Sequence, residues 1–188
     1  MYTIYFSDEL RQAVAHRLMA FSHSFQGISY TPSSLARSHA MPVIPAIHSD
    51  LDDLASLFAG YLDFYEVPRP LPEIRTFLEE RMRRGDSTLL IARDGAGRAL
   101  GFVQLYPFHS SLAMAPAWLL SDLYVVPTAR RQGVGEDLMN AARAYAANTG
   151  ACGIQLETAK TNLAGQALYE RLGYARDEVF FTYWLSLA

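Results

Sequence analysis

The stretch Leu123-Tyr-Val-Val-Pro-Thr-Ala-Arg-Arg-Gln-Gly-Val-Gly-Glu-Asp-Leu138 decides how this chain is read. An apolar, β-branched run ends at Pro127, Arg130 and Arg131 follow, and Gly133 and Gly135 open a segment that places Val134, Leu138, Ala141, Ala142 and Tyr145 on one helical face. Two glycines there let backbone N–H groups approach an anion with no side chain in the way. The helix N-terminus adds four unpaired donors and a partial positive charge. Three readings compete. A Walker loop fails because no Gly-Lys-Ser/Thr occurs in the chain. A dinucleotide fingerprint has Gly133-x-Gly135 and a later Glu157, but Leu138 stands at its third glycine and too little chain follows Glu157. The plain alternative is a helix start with two convenient glycines.

Working outward, the 188 residues are 51% hydrophobic and 19% charged, with a net charge of −3. That is too apolar and too weakly charged for a disordered tail. No apolar run approaches the roughly 20 residues of a membrane helix. The single cysteine, Cys152, excludes an internal disulfide framework and reads as a small buried residue. The acidic balance argues against nucleic acid held through a broad basic field. With no signal-like start, a cytoplasmic protein with no membrane partner is expected.

Residues 1–40 hold one short candidate helix, Glu9 to Phe21, and a polar, turn-rich run from Ser22 to Ala40. They read as an N-terminal extension, with Met41 a candidate natural start, and 41–188 as the domain. Val43 to Ile47 suits a strand, and Ser49 or Asp50 can cap a helix carrying Leu51, Leu54, Phe58, Tyr61, Leu62 and Tyr65 as one stripe. Pro68, Pro70 and Pro72 separate it from a second helix that Gly85 can close. Strands are expected at Ser87 to Ala92, Leu100 to Tyr106 and Trp118 to Val126, with a hairpin at Asp94 to Gly97 and a loop at Ser110 to Pro116. Then follow a helix at Gly133 to Asn148, a strand at Ile154 to Thr158, a helix at Asn162 to Leu172 and a closing aromatic strand at Val179 to Leu187. Hairpins first and β-α-β-α-β afterwards imply an α/β fold, a mixed sheet with helices on both faces.

Arg130-x-x-Gly133-x-Gly135 after a strand ending in Val-Pro resembles the acyl-CoA pyrophosphate loop of the GNAT superfamily of N-acetyltransferases. Asn162-x-x-Gly-x-x-Leu168-Tyr169-x-x-x-Gly173-Tyr174 resembles that family's second signature, with Gly165 where Ala is usual. Met41 to Ile47 followed by Asp50 resembles its opening strand and helix. Tyr61-Leu-Asp-Phe-Tyr65, Ser121-Asp-Leu-Tyr-Val125 and Leu156-Glu-Thr158 look like the histone acetyltransferase-like subgroup. The resemblance covers 41–188 and leaves out 1–40.

What the resemblance implies is an acyltransferase using acetyl-CoA as cosubstrate, with no metal, and direct attack by a primary amine. The pyrophosphate would meet Arg130, Arg131, Gln132, Gly133, Val134, Gly135 and Glu136. The pantetheine arm would pair with the backbone of Leu123, Tyr124 and Val125, with Asn162 reaching its amides. Asp122 is the first candidate to take the amine's proton, with Glu157 as alternate. Against this, Asp122 reads equally as a strand carboxylate bonded to backbone. Tyr169 is the candidate acid for the departing thiolate, since a phenol near 10 and a thiol near 8.5 make that transfer feasible. Out of the family context it would read as core. Tyr61, Tyr65 and Ser110 are candidates for the acceptor side, where an aromatic and acidic mouth suits a cation; core filling is as good a reading for the two tyrosines. The acceptor is a small-molecule or protein amine. A homodimer joined through Phe180, Phe181, Tyr183 and Trp184 is one expectation, and an internal strand there is the other. A non-catalytic acyl-CoA-binding sensor is the alternative function.

Overall fold

The structure is a computed structural model and describes residues 41–187, which fall in two units, 41–157 and 158–187. The candidate helix at Glu9 to Phe21 and the polar run after it lie outside the described residues.

The first unit is one mixed sheet of five strands in the order β1-β2-β3-β4-β5: β1 Val43–Pro45, β2 Thr88–Arg93, β3 Ala99–Ser110, β4 Ala115–Val125 and β5 Ile154–Leu156. The first four pair antiparallel, and β5 joins β4 in parallel. Three helices complete it: α1 Leu51–Phe64, α2 Leu71–Arg84 and α3 Val134–Asn148. The elements are those the sequence predicts, with β3 and β4 longer, because only the turn around 111–114 interrupts them, and with β1 and β5 two residues shorter, ending at Pro45 and Leu156.

Strand alternation assigns each sheet face to its helices. One face carries Leu89, Ile91, Phe102 and Tyr124, which pack with Leu51, Leu54, Phe58, Ile74 and Leu78 of α1 and α2. Phe58 stacks on Phe102 at 5.5 Å between ring centroids. Burying side chains of this size contributes about 1.5–3 kcal/mol each. The other face carries Leu90, Val103, Leu105, Trp118 and Leu120, all buried, and takes α3 through Leu138, Met139, Ala142 and Ala146. Trp118 meets Tyr145 edge-on at 5.3 Å and donates its indole N–H to Thr149 Oγ1 at 2.8 Å.

The start of α1 is pinned electrostatically. Asp50 accepts the Ile47 N–H at 2.8 Å and pairs with Arg93 of β2 at 2.7 Å, and Arg93 also reaches Asp53 at 2.7 Å. α2 begins after Pro70 and ends where Gly85 turns left-handed at φ 64°.

The second unit holds α4, Leu163–Arg171. Asn162 caps it, its Oδ1 accepting the Gly165 N–H at 3.1 Å. Val179 to Leu187, expected as a closing strand, is not a strand. The Asp177 carboxylate instead takes the Val179 and Phe180 N–H groups at 2.9 Å each, turning the chain where a ladder would begin.

Candidate active site

The loop after β4 is built to gather amides. Pro127–Ala129 makes one 3-10 turn and Arg130 stays extended. Arg131 is left-handed at φ 62° and Gly133 at φ 93°. Left-handed residues alternating with ordinary ones turn successive N–H groups inward, the geometry of an anion nest. A non-glycine residue such as Arg131 adopts that conformation at a cost of order 1–3 kcal/mol, of a kind found at ligand-holding turns. The α3 ladder starts with the Asp137 N–H donating to the Gly133 carbonyl at 3.0 Å, so the amides of the preceding turn are not consumed by the helix. The loop's side chains brace it. Arg130 Nε donates to the Val125 carbonyl at 3.0 Å, and its guanidinium lies over Phe64 at 5.7 Å and Tyr124 at 5.8 Å. Gln132 Nε2 donates to the Thr128 carbonyl at 2.9 Å.

β4 leaves its parallel partner early. The β4–β5 pairing covers Trp118–Ile154, Leu119–Gln155 and Leu120–Leu156, while β4 runs on to Val125. The segment Ser121 to Val125 therefore has no β5 partner on that side. At the same point β4 bulges: Gln104 pairs with Asp122 and Leu105 with Leu120, leaving Ser121 unmatched. A bulge bends the strand and re-aims the neighbouring side chains.

Asp122 is thereby turned onto the face covered by α1 and α2. It is buried, 9% exposed, and burial is the largest influence on it, raising its pKa above the ordinary 3.8; hydrogen bonds from Tyr61 and Ser121 oppose that rise. Tyr61 comes from α1, and its ring lies 5.0 Å from Tyr65, which is exposed at the end of that helix. The close approach of α1 needs Gly60, because a Cβ there would stand 2.5 Å from the Tyr124 hydroxyl.

Among the residues singled out from sequence, Asp122, Tyr61, Tyr65, Leu123 to Val125 and the loop from Arg130 to Glu136 belong to this one unit. Ser110 does too, at the other end of β3, six residues from Gln104 and so about 20 Å along the strand. There its Oγ accepts the Ala113 N–H at 3.4 Å. Glu157 is exposed just past β5. Asn162 and Tyr169 lie in the second unit. Asn162 uses both ends of its amide locally, Nδ2 donating to Thr158 Oγ1 at 3.0 Å. A Cβ at Gly165 would stand 2.5 Å from Asn162 Nδ2, so alanine there would require the Asn162 amide to shift. Tyr169 is half-buried on α4, its ring 6.1 Å from Tyr174.

Sequence reasoning missed a group of polar residues around Asp122. Gln104 is fully buried and donates through Nε2 to Ser87 Oγ at 2.8 Å; Tyr106, hydrogen-bonded to Ser87, lies within electrostatic reach of Asp122, Arg81 and Asp86. The available signal was a lone glutamine inside the apolar run Phe102-Val103-Gln104-Leu105.

A parallel pair that parts early, a bulge in β4 and an amide-lined turn into a helix thus meet in one unit. Residues 54–174 match the acetyltransferase (GNAT) family, and the chain belongs to that family and is an acyltransferase. It is 39% identical over 147 residues to an uncharacterised N-acetyltransferase of Bacillus subtilis, YhfO, covering 78% of this chain and 98% of that protein. A solved probable acetyltransferase superposes with a TM-score of 0.75 at 38% identity, over 79% of this chain and 99% of that one. An aminoglycoside N-acetyltransferase solved in complex with CoA shares the fold, with a TM-score of 0.67 at 21% identity over 79% and 95% of the two chains. Among the described residues no helix is long and apolar enough to cross a membrane, and no His, Cys, Asp and Glu cluster could hold a metal ion.

Proposed function

We propose that the chain transfers an acetyl group from acetyl-CoA to a primary amine by direct attack. The observation that carries this reading is Asp122, a buried carboxylate set at the β4 bulge, where the strand parts from β5 and in the same unit as the amide-lined loop. A non-catalytic sensor needs the loop and has no use for that carboxylate.

The loop from Arg130 to Glu136 takes the pyrophosphate on backbone N–H groups, with the cationic edges of Arg130 and Arg131 beside it. The pantetheine arm pairs with Leu123 to Val125 as an added strand would. Asn162 caps α4 and keeps a second lone pair on Oδ1 for an amide of that arm. Asp122 attracts the ammonium and takes one proton from it. The freed amine attacks the thioester carbon, with the oxyanion met by a backbone N–H of Leu123 or Tyr124. As the C–N bond forms the C–S bond breaks, the thiolate is protonated by the Tyr169 phenol, and the nitrogen loses its second proton to solvent. Solvent then restores the phenol and deprotonates Asp122. Glu157, exposed beyond β5, is the weaker candidate for base.

On the acceptor side, Tyr61, bonded to Asp122, and its ring neighbour Tyr65 make an aromatic approach to that carboxylate which favours a cation. A small polar amine fits this approach, a reading supported by the likeness in fold to an aminoglycoside N-acetyltransferase. The test is thiol release from acetyl-CoA across a panel of polyamines, aminoglycosides, amino acids and lysine peptides. Amine-dependent release supports the reading; acetyl-CoA binding without release by any amine contradicts it.

A further inference from the structure

Three buried side-chain atoms lack a hydrogen-bond partner among the described residues, and all belong to the polar group next to Asp122: Gln104 Oε1, Arg81 Nε and Asp86 Oδ1. An unpaired buried acceptor costs about 1–3 kcal/mol, so a fully buried glutamine with half its amide idle calls for an explanation. The sheet supplies one. β3 lies between β2 and β4. Gln104 spends Nε2 on Ser87, which leads into β2, at 2.8 Å. Its Oε1 is the other arm of the same planar amide and is buried without a partner among the described residues. The residue facing Gln104 on β4 is Asp122, its direct partner in the antiparallel ladder. Such partners have Cβ atoms about 4.5–5.5 Å apart on one face.

We propose that Gln104 is a positioning residue for Asp122: its idle Oε1 is the acceptor for the Asp122 O–H once the carboxylate has taken the amine's proton. With Asp122 ionised, Tyr61 and Ser121 donate to it and Oε1 waits. With Asp122 protonated, the new O–H has a buried acceptor and the carboxyl is held in place until the proton passes to solvent. No atom beyond the one proton moves. The Ser87 bond is what makes this specific, because it stops the amide turning its NH2 towards Asp122, where it would favour the ionised form. The titratable and charged groups facing this end of the sheet are Tyr61 from α1, Arg81 from α2, Asp86 before β2 and Tyr106 on β3, none of them a permanent cation in contact with Asp122. This inference rests on reading Asp122 as the base, but its test does not need turnover.

The test is the titration of the Asp122 side-chain carbon by 13C NMR in the full chain without substrates, assigned by the signal lost in Asp122→Asn. Replacing Gln104 with methionine keeps the volume and removes the acceptor. Losing an acceptor for the neutral form lowers the Asp122 pKa, whereas a more apolar neighbour with no other role raises it. We expect a fall of about one unit in Gln104→Met, and a fall in Ser87→Ala, where the released amide can present its NH2. An unchanged or raised pKa in Gln104→Met overturns the proposal; if that variant does not fold, the Ser87→Ala titration decides by the same criterion. A failed amine panel with a lowered pKa would remove the base assignment and leave the Gln104–Asp122 relationship standing.

Discussion

The guanidinium of Arg130 lies 5.7 Å from the centre of the Phe64 ring, joining the loop before α3 to the last turn of α1. Arg130 also bonds the Val125 carbonyl, so it supports the loop's shape as well as its charge. Charge-assisted hydrogen bonds are worth about 1.5–3 kcal/mol. Arg130→Ala should therefore weaken acetyl-CoA binding by roughly ten-fold or more. Arg130→Lys should recover only part, because lysine lacks the planar fork that reaches the carbonyl and stacks on the ring. Calorimetric titration with acetyl-CoA checks both. Equal affinity in the alanine variant and the wild type would contradict the loop assignment.

Asp122 makes stability depend on pH in a defined direction. Burial holds its folded-state pKa above the ordinary 3.8, so folding favours the neutral form. That contribution is complete at low pH and is lost as pH rises through the raised value. Asp122→Asn is neutral throughout. Its melting temperature should exceed the wild type's near pH ~8 and converge on it below pH ~4, with each kcal/mol showing as about 2–4 °C. A variant that melts lower at high pH would mean the ionised carboxylate is held favourably, contrary to its surroundings.

Gly60 is required by packing. Alanine there would bring its Cβ to 2.5 Å from the Tyr124 hydroxyl and 2.9 Å from the ring carbon bearing it. Overpacking of this kind costs about 1–3 kcal/mol. Gly60→Ala should lower the denaturation midpoint accordingly, and Tyr124→Leu in that background should restore part of the loss. Wild-type stability in the single variant would contradict the close approach of α1 to β4.

Tyr169 carries the leaving-group step in the proposed mechanism. Tyr169→Phe should cost about 10²-fold in turnover and leave acetyl-CoA affinity nearly unchanged. Full activity in that variant would take the phenol out of the chemistry.

The sheet, the helices and the loop were legible in the sequence because they rest on local signals: alternation, helical stripes, and Gly133 and Gly135 after two arginines. The left-handed Arg131 was not legible, since arginine carries no turn signature and the strain is set by the loop as a whole. The Ser121 bulge escaped for a related reason. A one-residue register shift is a property of two strands, and Ser121 matches an ordinary strand pattern when read alone. Asp122 stood out as a carboxylate among apolar neighbours, but its contact with Tyr61 joins residues sixty-one positions apart. The aromatic segment from Val179 to Leu187 misled because its composition suits a strand, while Asp177 two residues earlier turns the backbone onto its own side chain.

The most direct test of the central claim is the rate of thiol release from acetyl-CoA with the best amine, wild type against Asp122→Asn, alongside the affinity of each for acetyl-CoA. The expected result is a loss of about 10²–10⁴-fold in turnover with cofactor affinity unchanged. Equal turnover in the two proteins would contradict the assignment of Asp122 as the base.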